Sequence, residues 1–374
     1  MSLQLEQIKD YGLSEKKLSQ IVEDAKQYGN IETVVAALNN ADFYGVLLPS
    51  VAEKMEHVIS GMKQVQNAVS ADKLLVYLPD FANQAIVEKI NAFDEIEVVT
   101  GIVDARENQN NVVAHFMTYL KLAESTDSAY LSVDGSDAKE QLKETVLGDL
   151  LKDKNQVKGF FNGYEFFDTT WIDKKLLELP VKAGLFQPIY ENQCVVCETE
   201  KHLKKARKQS CGKCVFCREG LLQLQYMEKE ITEGRGKAEY IGLIRELGQA
   251  MVISAMCTLG QHSSELTLSA LELFEKEVTD HLKKLKCVAG VCFSKETIYV
   301  NPMLCTGCEE CLDVCEVDCI EGKKGYIHMI DEMDCTRCGK CIGVCEENAI
   351  EKTSDKLPKL PDRLTKVGRF KKNK

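Results

Sequence analysis

Cys305-Thr-Gly-Cys308-Glu-Glu-Cys311-Leu-Asp-Val-Cys315 recurs as Cys335-Thr-Arg-Cys338-Gly-Lys-Cys341-Ile-Gly-Val-Cys345. The spacing C-x2-C-x2-C-x3-C wraps three thiolates around one corner of a four-iron cubane, and the fourth cysteine of each run reaches across to the other cluster. On that pattern Cys305, Cys308, Cys311 and Cys345 hold one [4Fe-4S] cluster, and Cys335, Cys338, Cys341 and Cys315 hold a second. Structural zinc also takes C-x2-C, but as two separated pairs. The third cysteine at the next x2 step and the fourth at x3 do not fit that geometry.

The doubled run is the pattern of a two-cluster bacterial-type ferredoxin domain. Two positions depart from it. Glu316 and Glu346 stand where a proline usually follows the fourth cysteine, and a carboxylate there disfavours adding an electron, which predicts low potentials. Cys319 occupies the repeat position filled by Ala349, the place of a small packing residue.

Working outward, 374 residues predict two to four domains. With 44% hydrophobic and 28% charged residues the chain reads as soluble and globular. No apolar run reaches the length of a membrane span, and the N-terminus lacks a signal-peptide pattern, so a cytoplasmic protein is expected. Seventeen cysteines in that compartment are metal ligands before they are disulfides. A formal charge of -11 argues against nucleic acid as a main partner. The basic stretch 354–374 is the exception, either a solvated tail or a contact for an acidic partner.

The texture of the chain predicts an α+β multidomain protein. Residues 1–70 read as an N-terminal helical region, with apolar spacing at Leu18, Ile21 and Val22 and again at Val34, Val35 and Leu38. Residues 71–127 read as a degenerate α/β domain: strands from Lys73 and from Ile96, and helices over 81–93 and 110–123. The turn after its first strand, Pro79-Asp80-Phe81-Ala82, has no glycine, which argues against a nucleotide phosphate there. Residues 128–192 read as a β-grasp-like module with Trp171 in its core, and 193–286 as a helical bundle carrying a [4Fe-4S] cluster. The double ferredoxin domain follows over 287–353.

The bundle cluster rests on Ser210-Cys211-Gly-Lys-Cys214-Val-Phe-Cys217-Arg-Glu-Gly and on Met256-Cys257-Thr-Leu-Gly. Cys211, Cys214 and Cys217 are expected on a loop entering a helix, whose N-terminal N–H groups stabilise a negatively charged cluster, with Cys257 as the distant fourth ligand. Lys213 and Arg218 are placed to add positive charge.

These strings, with Glu233-Gly-Arg-Gly236, resemble the C-terminal helical domain of the NADH-binding flavoprotein subunit of respiratory complex I. The continuation through His281 and Cys287-Val-Ala-Gly-Val-Cys292 is similar to the β subunit of electron-bifurcating [FeFe] hydrogenases. The specific resemblance covers roughly residues 195–350. It implies a flavoprotein-like layer before the bundle, and an oxidoreductase complex of an anaerobe. That family holds FMN and NADH on a Gly-Arg-Gly-Gly-Ala-Gly-Phe-Pro loop and a Gly-Glu-Glu-Thr segment. Here the corresponding stretches, Asn40 to Pro49 and Ile102 to Asn110, contain neither, so FMN and NAD are not expected.

Of the remaining cysteines, Cys287 and Cys292 with His281 suit zinc, with Cys319 or His328 as fourth ligand. Cys194-Val-Val-Cys197 has metal-pair spacing, but its valines suggest a strand. No catalytic set stands out. The sequence therefore predicts a non-catalytic relay of three [4Fe-4S] clusters in a hydrogenase, formate dehydrogenase or other bifurcating oxidoreductase. Its partners would be the other subunits and a soluble ferredoxin. The alternative is an NAD(P)H/FMN-dependent oxidoreductase subunit with a rebuilt flavin pocket.

Overall fold

The computed structural model describes residues 7–14, 16–124, 128–293, 297–353 and 357–370. Two compact units divide the chain: Met1–Glu228 with Lys237–Ala289, and Lys229–Gly236 with Gly290–Lys374. None of the described helices is long and apolar enough to cross a membrane.

The first unit begins α1 (Leu18–Lys26), β1 (Thr33–Ala37), α2 (Leu48–Glu53), α3 (Met55–Val69), β2 (Lys73–Leu78), α4 (Gln84–Asn91), β3 (Glu97–Thr100), β4 (Val112–His115) and α5 (Phe116–Ala123). Its four strands form a parallel sheet in the order β3-β2-β1-β4, with Val35 opposite Leu75 on one side and Val113 on the other. The sequence predicts helices throughout 1–70 and over 110–123, and the structure differs in both places. Thr33–Ala37 is an inner strand of the sheet, and Val112–His115 is an edge strand. Val34 to Ala37 are all buried, so this strand lacks the apolar–polar alternation of a half-exposed one and its run of apolar residues imitates a helix. Helices α3 and α5 pack on each other and on β1. A Cβ on Gly61 would lie 2.0 Å from the Tyr119 carbonyl oxygen, so only glycine lets α3 approach that backbone.

Next come two small antiparallel pieces: the pair β5 (Ser128–Leu131) and β6 (Lys139–Leu142), and β7 (Val157–Phe161) between β8 (Phe166–Phe167) and β9 (Gln187–Tyr190). Leu131, Leu147, Val157, Phe160 and Phe186 form their core, with Trp171 half-buried against it. Five helices follow: α6 (Val195–Gln209), α7 (Val215–Thr232), α8 (Tyr240–Ser254), α9 (Thr258–Leu273) and α10 (Glu275–Lys284), with α9 packed on α8 and α6. Cys194-Val-Val-Cys197, which suggests a strand, instead opens α6. Its backbone N–H groups are taken up there: Val195 N donates to Glu277 Oε1 at 2.9 Å, and Cys197 N to Cys194 Sγ at 3.4 Å. Lys158 of β7 closes this corner by pairing with Glu277 at 2.6 Å, both side chains nearly buried.

The second unit pairs β10 (Thr297–Val300) with β13 (Ile350–Thr353), and β11 (Ile320–Glu321) with β12 (Met329–Ile330), around the short helices α11 (Glu310–Asp313) and α12 (Lys340–Val344). The sequence repeat reappears in the backbone. Gly307 and Arg337 (φ 72° and 59°), Glu309 and Gly339 (80° and 76°), and Asp318 and Asn348 (both 49°) are all left-handed, a region L-residues enter only where the surrounding structure holds them. The basic tail has a partner inside its own unit: Ile327 N donates to Thr365 O at 2.9 Å, Val367 N donates to Gly325 O at 3.1 Å, and Phe370 packs on the core.

Candidate iron-sulfur and metal centres

In the first unit Cys211 and Cys214 lie on the loop before α7, Cys217 in its first turn, and Cys257 at the N-cap of α9. Burial pushes the Cys217 thiol up to about 11, against the Ser210 hydrogen bond, and negative charge on Cys257, Cys214 and Cys211 pushes the same way. Four sulfurs that repel one another as thiolates are a site that a cation reverses. The Cys257 thiol is likewise raised by burial, while the N–H groups of Leu259 and Gly260 and the Asn40 side chain lower it. These are the free donors of a helix N-terminus, aimed at sulfur. Of the two cations expected to serve this site, Lys213 pairs with Asp104 and Glu107, while Arg218 pairs with Glu219 and donates to Gly212 O within the cysteine loop itself.

Gly260 sets how closely α9 meets α7. A Cβ there would lie 2.7 Å from Ala255 Cβ, 3.2 Å from Cys217 Cβ and 3.4 Å from Cys217 Sγ.

The second unit holds two thiol-lined cavities. Cys305, Cys308, Cys311 and Cys345 line one, with Val300, His328, Ala349 and Ile350. Cys315, Cys335, Cys338 and Cys341 line the other, with Ile298, Cys319 and Ile330. In the first, burial pushes the Cys311 thiol up to about 12, helped by charge on Cys305 and Cys308. Backbone N–H groups reach the sulfurs as well: Ala349 N to Cys345 Sγ at 3.3 Å, Cys319 N to Cys315 Sγ at 3.4 Å, and Arg337 N to Cys335 Sγ at 3.3 Å. Glu316 is exposed and paired with Lys340, and Glu346 is exposed, so solvent and a counter-charge weaken the effect expected of these carboxylates.

Among the candidate zinc ligands, His281 and Cys287 come together with Cys194, their ligand atoms within 4.8 Å of one another. Cys319, a fourth ligand on the sequence reading, lies instead in the ferredoxin-like core with its sulfur 3.5 Å from Cys315 Sγ. His328, the other, faces Cys305. His281 Nδ1 lies 2.8 Å from the Glu277 carbonyl. A carbonyl can only accept, so Nδ1 carries a proton, and Nε2, 3.2 Å from Cys194 Sγ, is the nitrogen left for a metal, which would displace any proton it carries. The Glu277 carbonyl is the outer partner a metal-bound imidazole needs. Burial opposes charging of the ring, but its hydrogen bonds to Cys194, Glu277 and Cys287 raise its pKa to about 9. Cys292 follows Cys287 by five residues, at the start of the second unit.

The loop after β1 stands where the glycine-rich phosphate loop is expected. Four of its backbone donors are already used: Ala41 N by Asn39 Oδ1, Asn40 N by Thr258 Oγ1, and Tyr44 N and Gly45 N by Asp42 Oδ1. Asp42 is 2% exposed, so a carboxylate of the chain itself occupies the position of an anion. Burial lifts its pKa to about 6 against the two N–H bonds. Beside this loop lies a cavity of about 600 Å³ that reaches Cys257, lined by Asn40, Asn108, Asn111, Thr258 and Gln261 among others. Of its described lining residues only Lys16 is cationic, and Lys16 is paired with Asp24.

Site and sequence together define an iron–sulfur protein. Residues 198–281 match the family described as the NADH-ubiquinone oxidoreductase-F iron-sulfur binding region, and residues 328–351 match the 4Fe-4S binding domain. The chain is 35% identical over 138 residues to NADP-reducing hydrogenase subunit HndC of Solidesulfovibrio fructosivorans, covering 37% of this chain and 28% of that protein. It is 28% identical over 97 residues to an NADH-quinone oxidoreductase subunit of Mycobacterium bovis, covering 26% and 22%. It thus spans less than a third of the length of these relatives. Its fold is similar to that of a chain of the NAD+-reducing [NiFe]-hydrogenase in the H2-reduced state, with a TM-score of 0.59 and 15% identity over 74% of this chain and 61% of that one.

Cys194 was not legible as the partner of His281, nor His328 as a neighbour of Cys305. Nothing near either in sequence marks the pairing, because each meets its partner only through the fold.

Proposed function

We propose that the chain is an electron-relay subunit of a multi-subunit oxidoreductase of the NAD(P)-linked hydrogenase and NADH-dehydrogenase type. Cys211, Cys214, Cys217 and Cys257 hold one [4Fe-4S] cluster. Cys305, Cys308, Cys311 and Cys345 hold a second, and Cys315, Cys335, Cys338 and Cys341 a third. Each cluster supplies one-electron transfer, while the chain's own residues shield it and direct N–H groups to its sulfurs. What carries the reading is the gathering of twelve thiols into three groups of four. The bundle is the α-helical part of an α+β chain whose C-terminal part is a double ferredoxin domain. The chemistry on substrate belongs to partner subunits. Cys194, His281 and Cys287 hold zinc, and the metal fastens α6 to the end of α10.

FMN and nicotinamide are outside this reading, since the loop after β1 spends four of its N–H donors on Asn39, Asp42 and Thr258. The second reading, a rebuilt flavin pocket, draws on the cavity beside Cys257. Metal and flavin analysis of the anaerobically purified chain separates the two. The relay gives about twelve iron atoms, one zinc and no flavin on acid release; stoichiometric FMN would establish the second reading. Cys257→Ser removes one cluster signal and leaves two, and His281→Ala removes zinc while iron stays. Loss of all three cluster signals in Cys257→Ser would refute the ligand groups.

A further inference from the structure

The two thiol-lined cavities of the second unit are built from one repeat but are not alike. Ile298 and His328 hold the same repeat position, seven residues before the first cysteine of each run. Each lines the cavity whose closely spaced cysteines come from the other run: Ile298 that of Cys335, Cys338 and Cys341, His328 that of Cys305, Cys308 and Cys311. One cavity thus receives a hydrocarbon where the other receives an imidazole.

The imidazole is held in place. His328 is 1% exposed, and its Nδ1 lies 3.7 Å from Cys305 Sγ. Its Nε2 is buried without a hydrogen-bond partner among the described residues. On the side away from the sulfur the ring rests on Gly322, where a Cβ would lie 2.0 Å from Cδ2 and 2.6 Å from Nε2. Any other residue at 322 would displace the ring. A buried polar side chain with one nitrogen unsatisfied is costly unless its other bond is needed. The available partner is a cysteine sulfur, which as an iron-bound thiolate can only accept, so the proton sits on Nδ1.

We infer that His328 sets the potential of the cluster held by Cys305, Cys308, Cys311 and Cys345 by donating a hydrogen bond from Nδ1 to Cys305 Sγ. This rests on the three-cluster reading above. Hydrogen bonds to cluster sulfurs tune the potential. An N–H dipole aimed at sulfur stabilises the reduced, more negative state more than the oxidised one, so the bond raises the potential. Ile298 gives the partner cluster no such bond, so at this repeat position only the cluster of Cys305 gains the upward shift. His328 acts through Cys305 and is a positioning residue rather than a ligand.

The test is an EPR-monitored redox titration of the full chain, purified anaerobically, as wild type, His328→Leu and His328→Gln. The expected result is a downward shift of one midpoint potential in His328→Leu with the others unmoved, and a smaller shift in His328→Gln, which keeps an N–H donor. In a Cys338→Ser background, which perturbs the other ferredoxin cluster, the shifted signal persists. Unchanged midpoints in His328→Leu, or a shift confined to the cluster that Cys338→Ser perturbs, overturn the inference. Should His328→Leu lose iron, Ile298→His decides it, because an imidazole there must raise the potential of the second cluster; no rise overturns the proposal. An iron count in the wild type below that of three four-iron clusters sinks the relay reading itself, and is seen before any titration.

Discussion

Replacing Gly260 by alanine adds one methyl group where α9 begins, beside two cysteines assigned to the bundle cluster. Carbon atoms in contact settle about 3.5–4.0 Å apart, whereas the new Cβ would lie 2.7 Å from Ala255 Cβ and 3.2 Å from Cys217 Cβ. The first turn of α9 must withdraw by about 1 Å, and overpacking of this kind costs about 1–3 kcal/mol. Because Cys257 is the N-cap of that helix, the same movement carries the fourth sulfur away from the other three. The expected outcome is lower stability in chemical denaturation, together with loss of the bundle cluster's EPR signal while the ferredoxin pair stays. Two further variants fix the cause. Ala255→Gly in the Gly260→Ala background removes the closest clash and restores part of the loss. Gly242→Ala, in the first turn of α8 with nothing within 4 Å of the new atom, gains up to about 0.5–1 kcal/mol from backbone entropy. A Gly260→Ala protein as stable as wild type with its cluster intact would refute the argument, as would a Gly242→Ala protein equally damaged.

Asp42→Asn keeps the oxygen that accepts from Tyr44 and Gly45 and removes a buried charge. The Asp42 pKa is raised from 3.8 to about 6, so its contribution to stability is fully present below about pH 3.8 and is lost as pH rises through about 6. The variant should therefore exceed wild type at pH 7.5 by up to about 3 kcal/mol, with the gap closing toward pH 4; equal gaps in urea melts at both pH values would count against titration of this carboxyl. Lys158→Met leaves Glu277 nearly buried and unpaired, which costs about 3–5 kcal/mol. Adding Glu277→Gln, which preserves the acceptor for Val195 N, should recover most of that loss in a double-mutant cycle.

The cysteine runs were legible because their short, repeated steps are local to the chain, and the fold gathers the thiols of the two runs around two cavities. The helices of the bundle were legible too. The strand Thr33–Ala37 was not, because a strand buried on both faces carries no period that separates it from a helix. The sequence by itself determined which residue types are present and how near neighbours along the chain are spaced. Only the tertiary structure could bring Cys194 to His281 across 87 residues, spend Lys213 on Asp104, turn Asp42 inward against its own loop, and set an imidazole rather than an isoleucine beside one of two otherwise matching cavities. Those contacts depend on which surfaces pack together, and packing is a property of the folded chain that no short window of residues contains.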